Sequence, residues 1–248
     1  LGPIPYEPGN WRASWVTRGS SQTISLDSII LETGTEETYT FRVTGVVGEI
    51  ANTAEIGPAS VRGLDLHVSA NIPDSADLAA LNIPNIPPYH SIEAKLDVQG
   101  SGQNIDVSNG EIVVSSGDAQ AEISSLAASF IPGAENPGIR DLRADILVSL
   151  SDTSVLSQYS ERAIPVLGEL QMQGKVAQHD SLYALADLTL SVKGDEFSLA
   201  TQGNISDLAN LSGVQLENQL QGVDIQHILS GALEDLQYTK SLGQLNAR

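Results

Sequence analysis

The chain has 248 residues with 31 acidic and 12 basic side chains, giving a formal net charge of −19. This charge repels phosphate backbones and argues against nucleic-acid binding. The absence of cysteine excludes disulfides, thiol chemistry and cysteine-ligated metals. Aromatic residues make up only 4% of the chain, so we expect a core of Leu, Ile, Val and Ala in thin, repetitive layers.

The N-terminal part of the chain, up to position 60, predicts a lead-in followed by a hairpin. Residues 1–10 are rich in Pro and Gly, which favours an irregular segment. Residues 23–31 and 38–46 predict two strands joined across a turn at residues 33–35. Trp11 and Trp15 are close together, in a stretch that also fits a strand. Such a pair can form a ligand platform or cover the end of a sheet, and we expect the second because aromatic packing is common.

The stretch from Val61 to Phe130 shows the pattern that organises the chain. Residues 61–72 alternate between apolar and polar side chains, which predicts a strand with one solvated face. Pro73 ends this strand, and Asp74 or Ser75 can cap a short helix over residues 75–81. A Pro-rich crossing follows at residues 83–89, and then an alternating strand at 92–99. Two further strands, 111–116 and 121–126, are predicted across the turn at Gly117.

The same order of elements then recurs. The tetrapeptide that begins at Ile139 matches the one that begins at Val61, and the hairpin at Gly194 matches the hairpin at Gly117. The period is about 77 positions, longer than that of the common solenoid repeats. We therefore divide the chain into a lead-in and the end of a preceding repeat at 1–60, repeat units at 61–138 and 139–212, and a truncated repeat at 213–248. The chain is expected to be a piece of a longer protein.

The second unit predicts a long strand at 142–150 and a short helix within 151–159, capped by Asp152 or Thr153. Strands at 166–174, 186–193 and 196–201 complete it, after a crossing that contains Pro165. The third unit predicts a strand at 214–220, a helix at 224–229 and a further segment at 241–245. The expected fold is mostly β: an elongated, twisted antiparallel sheet of repeated units, each with one short α-helix, that can form a groove.

The residues that usually carry chemistry do not cluster in the sequence. His67, His90, His179 and His227 are scattered and form no HxH or HExxH motif, so we expect no metal. No serine lies in a GxSxG elbow, and the Gly-rich stretches lack the Lys and following helix of a phosphate loop. Acidic residues are abundant but no pair stands out as acid and base. We expect no cofactor and no enzymatic activity.

One pattern is formed by residues 73–81 (PDSADLAAL), the Pro-rich crossing, residues 91–102 (SIEAKLDVQGSG) and the following hairpin, and it is echoed at residues 154–174 and 226–245. This pattern resembles the repeated β region of AsmA-like proteins. The resemblance covers about residues 20–248. It implies a protein of the Gram-negative envelope that is anchored in the inner membrane by a helix outside this chain and lies mostly in the periplasm. The family is similar to bridge-like lipid-transfer proteins, whose hydrophobic groove carries phospholipid acyl chains between membranes.

The remaining candidate site is the apolar face of the predicted strands. This face is either ordinary core, packed against the short helices, or a continuous trough for acyl chains. The expected function is non-enzymatic: a segment supporting phospholipid transport between membranes or outer-membrane homeostasis. The alternative is a structural or adhesion-type β-repeat spacer with protein partners, whose identity the sequence does not specify. The lipid-groove candidates are Leu66, Val68, Leu96, Val98, Ile112, Val114, Ile146, Leu170, Met172, Leu188 and Leu190.

Overall fold

The computed structural model describes residues 11–34, 39–51, 60–74, 91–132, 139–159, 166–179, 182–195 and 197–222. These residues form twelve β-strands and one 3-10 helix. The helix, Thr153–Tyr159, lies between the eighth and ninth strands. The strands are β1 (Trp11–Gly19), β2 (Thr23–Gly34), β3 (Thr40–Ala51), β4 (Val61–Ile72), β5 (Ser91–Ser101), β6 (Asn104–Ser116), β7 (Ala119–Phe130), β8 (Ile139–Leu150), β9 (Glu169–His179), β10 (Leu182–Lys193), β11 (Phe197–Asp207) and β12 (Ser212–Gly222).

All twelve strands belong to one open antiparallel sheet in which the spatial order is the order of the sequence. Each strand makes its main contacts with the strands immediately before and after it. Within the described part of the chain, β1 and β12 therefore have only one neighbour each. The prediction of a mostly-β protein built on an antiparallel sheet is confirmed.

The predicted short α-helices are not seen in the described residues. Two of them, at 75–81 and 224–229, lie outside those residues. The third segment forms the 3-10 helix Thr153–Tyr159, because so short a segment, rich in Ser, Thr and Gln, does not offset the cost of α-helix nucleation. Asp152 caps this helix as predicted: its Oδ1 accepts a hydrogen bond from the Ser154 amide at 2.7 Å. Thr153 Oγ1 instead accepts a bond from the amide of Leu167, at 2.7 Å, and ties the helix to the approach to β9.

Cross-strand pairing places most apolar side chains on one side of the sheet, although Ile30, Val113 and Leu147 pair with polar residues on the other side. Directly paired residues in an antiparallel sheet share a face, so a row can be followed from strand to strand. One row runs through Phe41, Ala70, Ala94, Ile112, Ile123 and Ile146. A second runs through Ile72, Ile92, Val114, Ala121, Val148, Met172 and Leu190. We call this side the apolar face and the opposite side the polar face.

Bulges interrupt the middle of many strands without breaking the apolar face. Ser28, Asn109, Ser125 and Asp187 have φ between 51° and 53° inside their strands, next to shifts in the pairing register. Such bulges bend a strand and increase its right-handed twist. Gly45 lies in this part of the sheet with φ of 144°, where a Cβ atom would stand 2.1 Å from the carbonyl oxygen of Asp65. Only glycine allows β3 and β4 to come this close.

Candidate functional site

All eleven groove candidates lie on the apolar face. Six belong to β4, β5 and β6, where Leu66 pairs with Val98 and Val68 with Leu96. Five belong to β8, β9 and β10, where Met172 pairs with Leu190. Strand β7 joins the two groups through side chains that the sequence analysis did not select, among them Ile123. The structure thus brings the candidates into one surface, and their role in binding stays a prediction.

The burial of these side chains differs in one important case. Leu188 is only 7% exposed, whereas the other ten candidates are half-buried. A half-buried side chain in a sheet contacts its neighbours on either side while its tip remains accessible. Leu188, together with Val47, Leu150 and Val192, is instead core. It contributes to stability more than to any accessible surface.

The structure adds exposed apolar residues that the sequence analysis did not select. Phe41, Phe130 and Leu216 lie on the apolar face with 38%, 36% and 40% of their surface exposed. For Phe41 the sequence contains the signal, because Phe41 alternates with the polar residues Thr40 and Arg42. The strand predicted at 121–126 ends before Phe130, and the strand predicted at 214–220 contains Leu216, which is not among the groove candidates.

Trp11 and Trp15 lie on edge strand β1, where Trp11 and Ala13 are paired with apolar-face positions of β2. They are 63% and 54% exposed. Neither side chain is packed beneath another described element, although both were expected to cover the end of the sheet. They are the largest apolar groups at the β1 edge.

No described element forms a second layer over the apolar face. The 3-10 helix is the one described element that is not a strand, and its Thr153 binds residues at the approach to β9 rather than strand centres. Twelve strands at the usual spacing and length give a sheet of about 50 by 40 Å. Part of its apolar face is accessible, since Phe41, Phe130 and Leu216 are each exposed by about a third or more.

The polar face carries short networks between neighbouring strands. The carboxylate of Asp97 accepts a hydrogen bond from Asn109 Nδ2 at 2.8 Å and is paired with His67 Nδ1. The Asn109 amide and the His67 ring together lower the pKa of Asp97. The ammonium group of Lys175 binds Asp187 at 2.9 Å, which raises the pKa of Lys175.

The contacts of these networks, within the described ranges, join polar side chains of neighbouring strands. Among the described residues, no serine or threonine hydroxyl is hydrogen-bonded to His67, as a nucleophile activated by that ring requires. The described residues also contain no group of three or more His, Asp or Glu side chains able to hold a metal ion. The networks are best explained as cross-strand ties on a solvated surface.

An open depression of about 660 Å³ lies beside β10, β11 and β12. Its lining is largely polar: the Asp187 amide donates to Asn204 Oδ1 at 3.0 Å, and Gln202 Nε2 donates to Glu217 Oε2 at 3.1 Å. These groups already bind one another. Leu188 is the one groove candidate at its wall, so this depression is not the predicted lipid site.

No helix within the described ranges is long and apolar enough to cross a bilayer. Comparisons with the known protein families, with curated proteins and with solved structures gave no match to this chain. Arguments about function therefore depend on the geometry of the sheet.

Proposed function

We propose that this chain is a non-enzymatic lipid conduit: a periplasmic segment of an AsmA-like envelope protein that supports phospholipid transport between membranes or outer-membrane homeostasis. One observation carries the proposal. One apolar face extends across the described strands, broken at β11 and β12 by the hydrogen-bonded pair Thr201 and Asn218, and no described element covers it. A spacer needs both faces of the sheet to be polar or covered. A lipid conduit needs one face that is apolar and accessible.

The strand positions support a repeated unit of four strands. Strands β4 and β5 begin at Val61 and Ser91, and β8 and β9 begin at Ile139 and Glu169, so both pairs are separated by the same interval. The left-handed backbone positions keep this interval, since Asp141 is equivalent to Gly63 and Asp187 to Asn109. Equivalent bulges in successive units bend the sheet in the same sense. This repetition favours a trough that continues from unit to unit, anchored to the inner membrane by segments outside this chain.

The mechanism is passive. Acyl chains lie along the apolar face while headgroups remain in water, and no residue performs chemistry. Complete burial of one CH₂ group is worth about 0.8 kcal/mol, and contact with one side of a sheet provides roughly half of that. An acyl chain of about sixteen carbons then gains roughly 6 kcal/mol, a gross value that the cost of ordering the lipid reduces further. This range suits a path along which lipid binds and moves on.

The experiment is native mass spectrometry with lipid extraction on protein purified from a Gram-negative host. The test variant is Leu66→Glu with Leu96→Glu, which places two carboxylates on half-buried positions of the apolar face. The matched control is Thr44→Glu with Ser69→Glu, which adds the same two carboxylates at half-buried positions of the polar face of β3 and β4. Leu188 is avoided because a charge at a buried position would unfold the sheet.

We expect phospholipid to copurify with the wild type and the control, and to be lost from the folded test variant. Far-UV circular dichroism checks that both variants keep the sheet. Wild-type protein without bound lipid, or equal amounts of lipid in all three proteins, would contradict the conduit proposal and favour the spacer alternative. If the test variant unfolds, Phe41→Glu takes its place with Arg42→Glu as its control, because Phe41 is 38% exposed.

A further inference from the structure

The matched tetrapeptides at the start of β4 and β8 each contain one arginine, Arg62 in the first unit and Arg140 in the second. Both side chains are exposed and lie on the polar face, close to one end of their strand. Their neighbours differ, because Arg62 pairs with Glu49 of β3 whereas Arg140 pairs with Ser129 of β7. The carboxylate that faces the first arginine therefore has no counterpart beside the second.

Other positions around the arginine change in the same direction. In the first unit, the carboxylate of Asp65 accepts a hydrogen bond from Gln99 Nε2 at 3.2 Å. At the interval that separates β4 from β8, the counterparts are Arg143 for Asp65, Ala177 for Gln99 and His179 for Ser101. One position changes the other way, since Asp141 replaces Gly63 at the bulge. The second unit therefore has two arginines at a place where the first has one arginine beside two carboxylates.

Arg140 and Arg143 lie side by side on the polar face. They pair with Ser129 and Ala127, which are alternate residues of β7, so the bulge at Asp141 brings both arginines to one face. Alternate positions of a strand are about 7 Å apart, a separation at which two arginine side chains can reach one anion. Among the described residues, neither guanidinium takes part in an ion pair, although acidic side chains outnumber basic ones by 31 to 12.

The apolar side of the same strand ends is accessible. Phe130 pairs with Ile139, and these side chains are 36% and 53% exposed on the apolar face. Arg140 follows Ile139 directly, so a cationic and an apolar side chain lie on opposite sides of one strand end. Arginine binds phosphate through two parallel hydrogen bonds. A ligand that carries both a phosphate and an acyl chain therefore matches both sides of this rim.

We propose that Arg140 and Arg143 bind the phosphate group of a phospholipid at the end of β8. Its acyl chains lie on the apolar face, beside Phe130 and Ile139. His179 on the neighbouring strand β9 supplies a further N–H donor at this rim. The inference rests on the proposed conduit function and adds a headgroup site to it. Because the first unit lacks the second arginine, the lipid is held at one place along the sheet rather than once in every unit.

The test variant is Arg140→Gln with Arg143→Gln. The matched control, Arg62→Gln with Lys95→Gln, removes the same two charges from exposed positions of the polar face in the first unit. The delipidated, isotope-labelled proteins are titrated with monomeric dihexanoylphosphatidylcholine, with dihexanoylglycerol, which lacks the phosphate, and with inorganic phosphate. Nuclear magnetic resonance follows the arginine side-chain N–H signals, which give both the affinity and the place of binding.

We expect the phospholipid to shift the Arg140 and Arg143 signals, and to bind the test variant at least tenfold more weakly than the wild type and the control. Dihexanoylglycerol should bind all three proteins equally. Equal affinity of the test variant and the control for the phospholipid would overturn the arginine site and leave the conduit standing. Inorganic phosphate that binds as tightly as the phospholipid would overturn the assignment to a lipid. If neither lipid binds the wild type, the site and the conduit both fail.

Discussion

Replacement of Gly45 by Ala tests the geometry that holds neighbouring strands together. At φ of 144° an L-residue is strained, and the new Cβ would lie 2.1 Å from the carbonyl oxygen of Asp65. Backbone strain of this kind costs about 1–3 kcal/mol. Relieving the contact requires β3 and β4 to move apart by about 1 Å and weakens at least one hydrogen bond, worth about 1 kcal/mol. We expect a loss of about 2–4 kcal/mol in the free energy of unfolding.

Gly48 on the same strand provides the matched control. Its φ lies outside the left-handed region, and the nearest atom to an added Cβ stands at 3.4 Å, an ordinary contact. Gly48→Ala should therefore be neutral or stabilise the protein by about 0.5 kcal/mol through the unfolded state. Equilibrium urea unfolding followed by circular dichroism measures both variants. Equal stabilities for the two would refute the close approach of β3 and β4 at Gly45.

Two further predictions concern stability. Leu188→Ala should lower the unfolding free energy by about 2–4 kcal/mol, because it removes buried atoms and leaves a cavity. Leu216→Ala, at a side chain that is 40% exposed, should change the unfolding free energy by under about 1 kcal/mol. Urea unfolding of both variants tests this contrast. A larger loss for Leu216→Ala than for Leu188→Ala would contradict the burial of Leu188. The pKa of Asp97 is lowered by the amide of Asn109 and by His67, so its stabilising effect is present above the usual carboxyl pKa of about 3.9 and is lost as pH falls through the lowered value. Asp97→Asn should flatten this acid-side loss in melting experiments from about pH 5 downward, and an unchanged acid profile would show that the network does not contribute.

Alternation predicted most strands because each has one solvated face. The prediction for residues 61–72 coincides with β4. The prediction for β6 began at residue 111, whereas the strand begins at Asn104. The reason is the bulge at Asn109: Ile105 and Val107 occupy odd positions on the apolar face, while Ile112 and Val114 occupy even ones. A search for unbroken alternation stops at this change of phase.

The same change of phase could have predicted the bulges. In β10 the apolar face is carried by Leu185 before the bulge and by Leu188 and Leu190 after it, again an odd-to-even change. The residue at the change, Asp187, has φ of 52°, and Asp and Asn are the non-glycine residues that adopt this conformation most readily. An Asn or Asp between apolar runs of opposite phase is thus a usable signal. The pairing register and the extent of burial, in contrast, depend on neighbouring strands and have no local signature.

The bulges also bear on why the apolar face is continuous. One inserted residue would normally turn every later side chain of that strand to the opposite face. In β6 the inserted residue does not have this effect. Val107 before the bulge and Ile112 after it both stay on the apolar face, where they pair with Ala128 and Ile123 of β7. A bend is therefore introduced while both halves of the strand keep their apolar side chains on the same face. A bent sheet and one apolar side are the two features that the trough proposed above requires together.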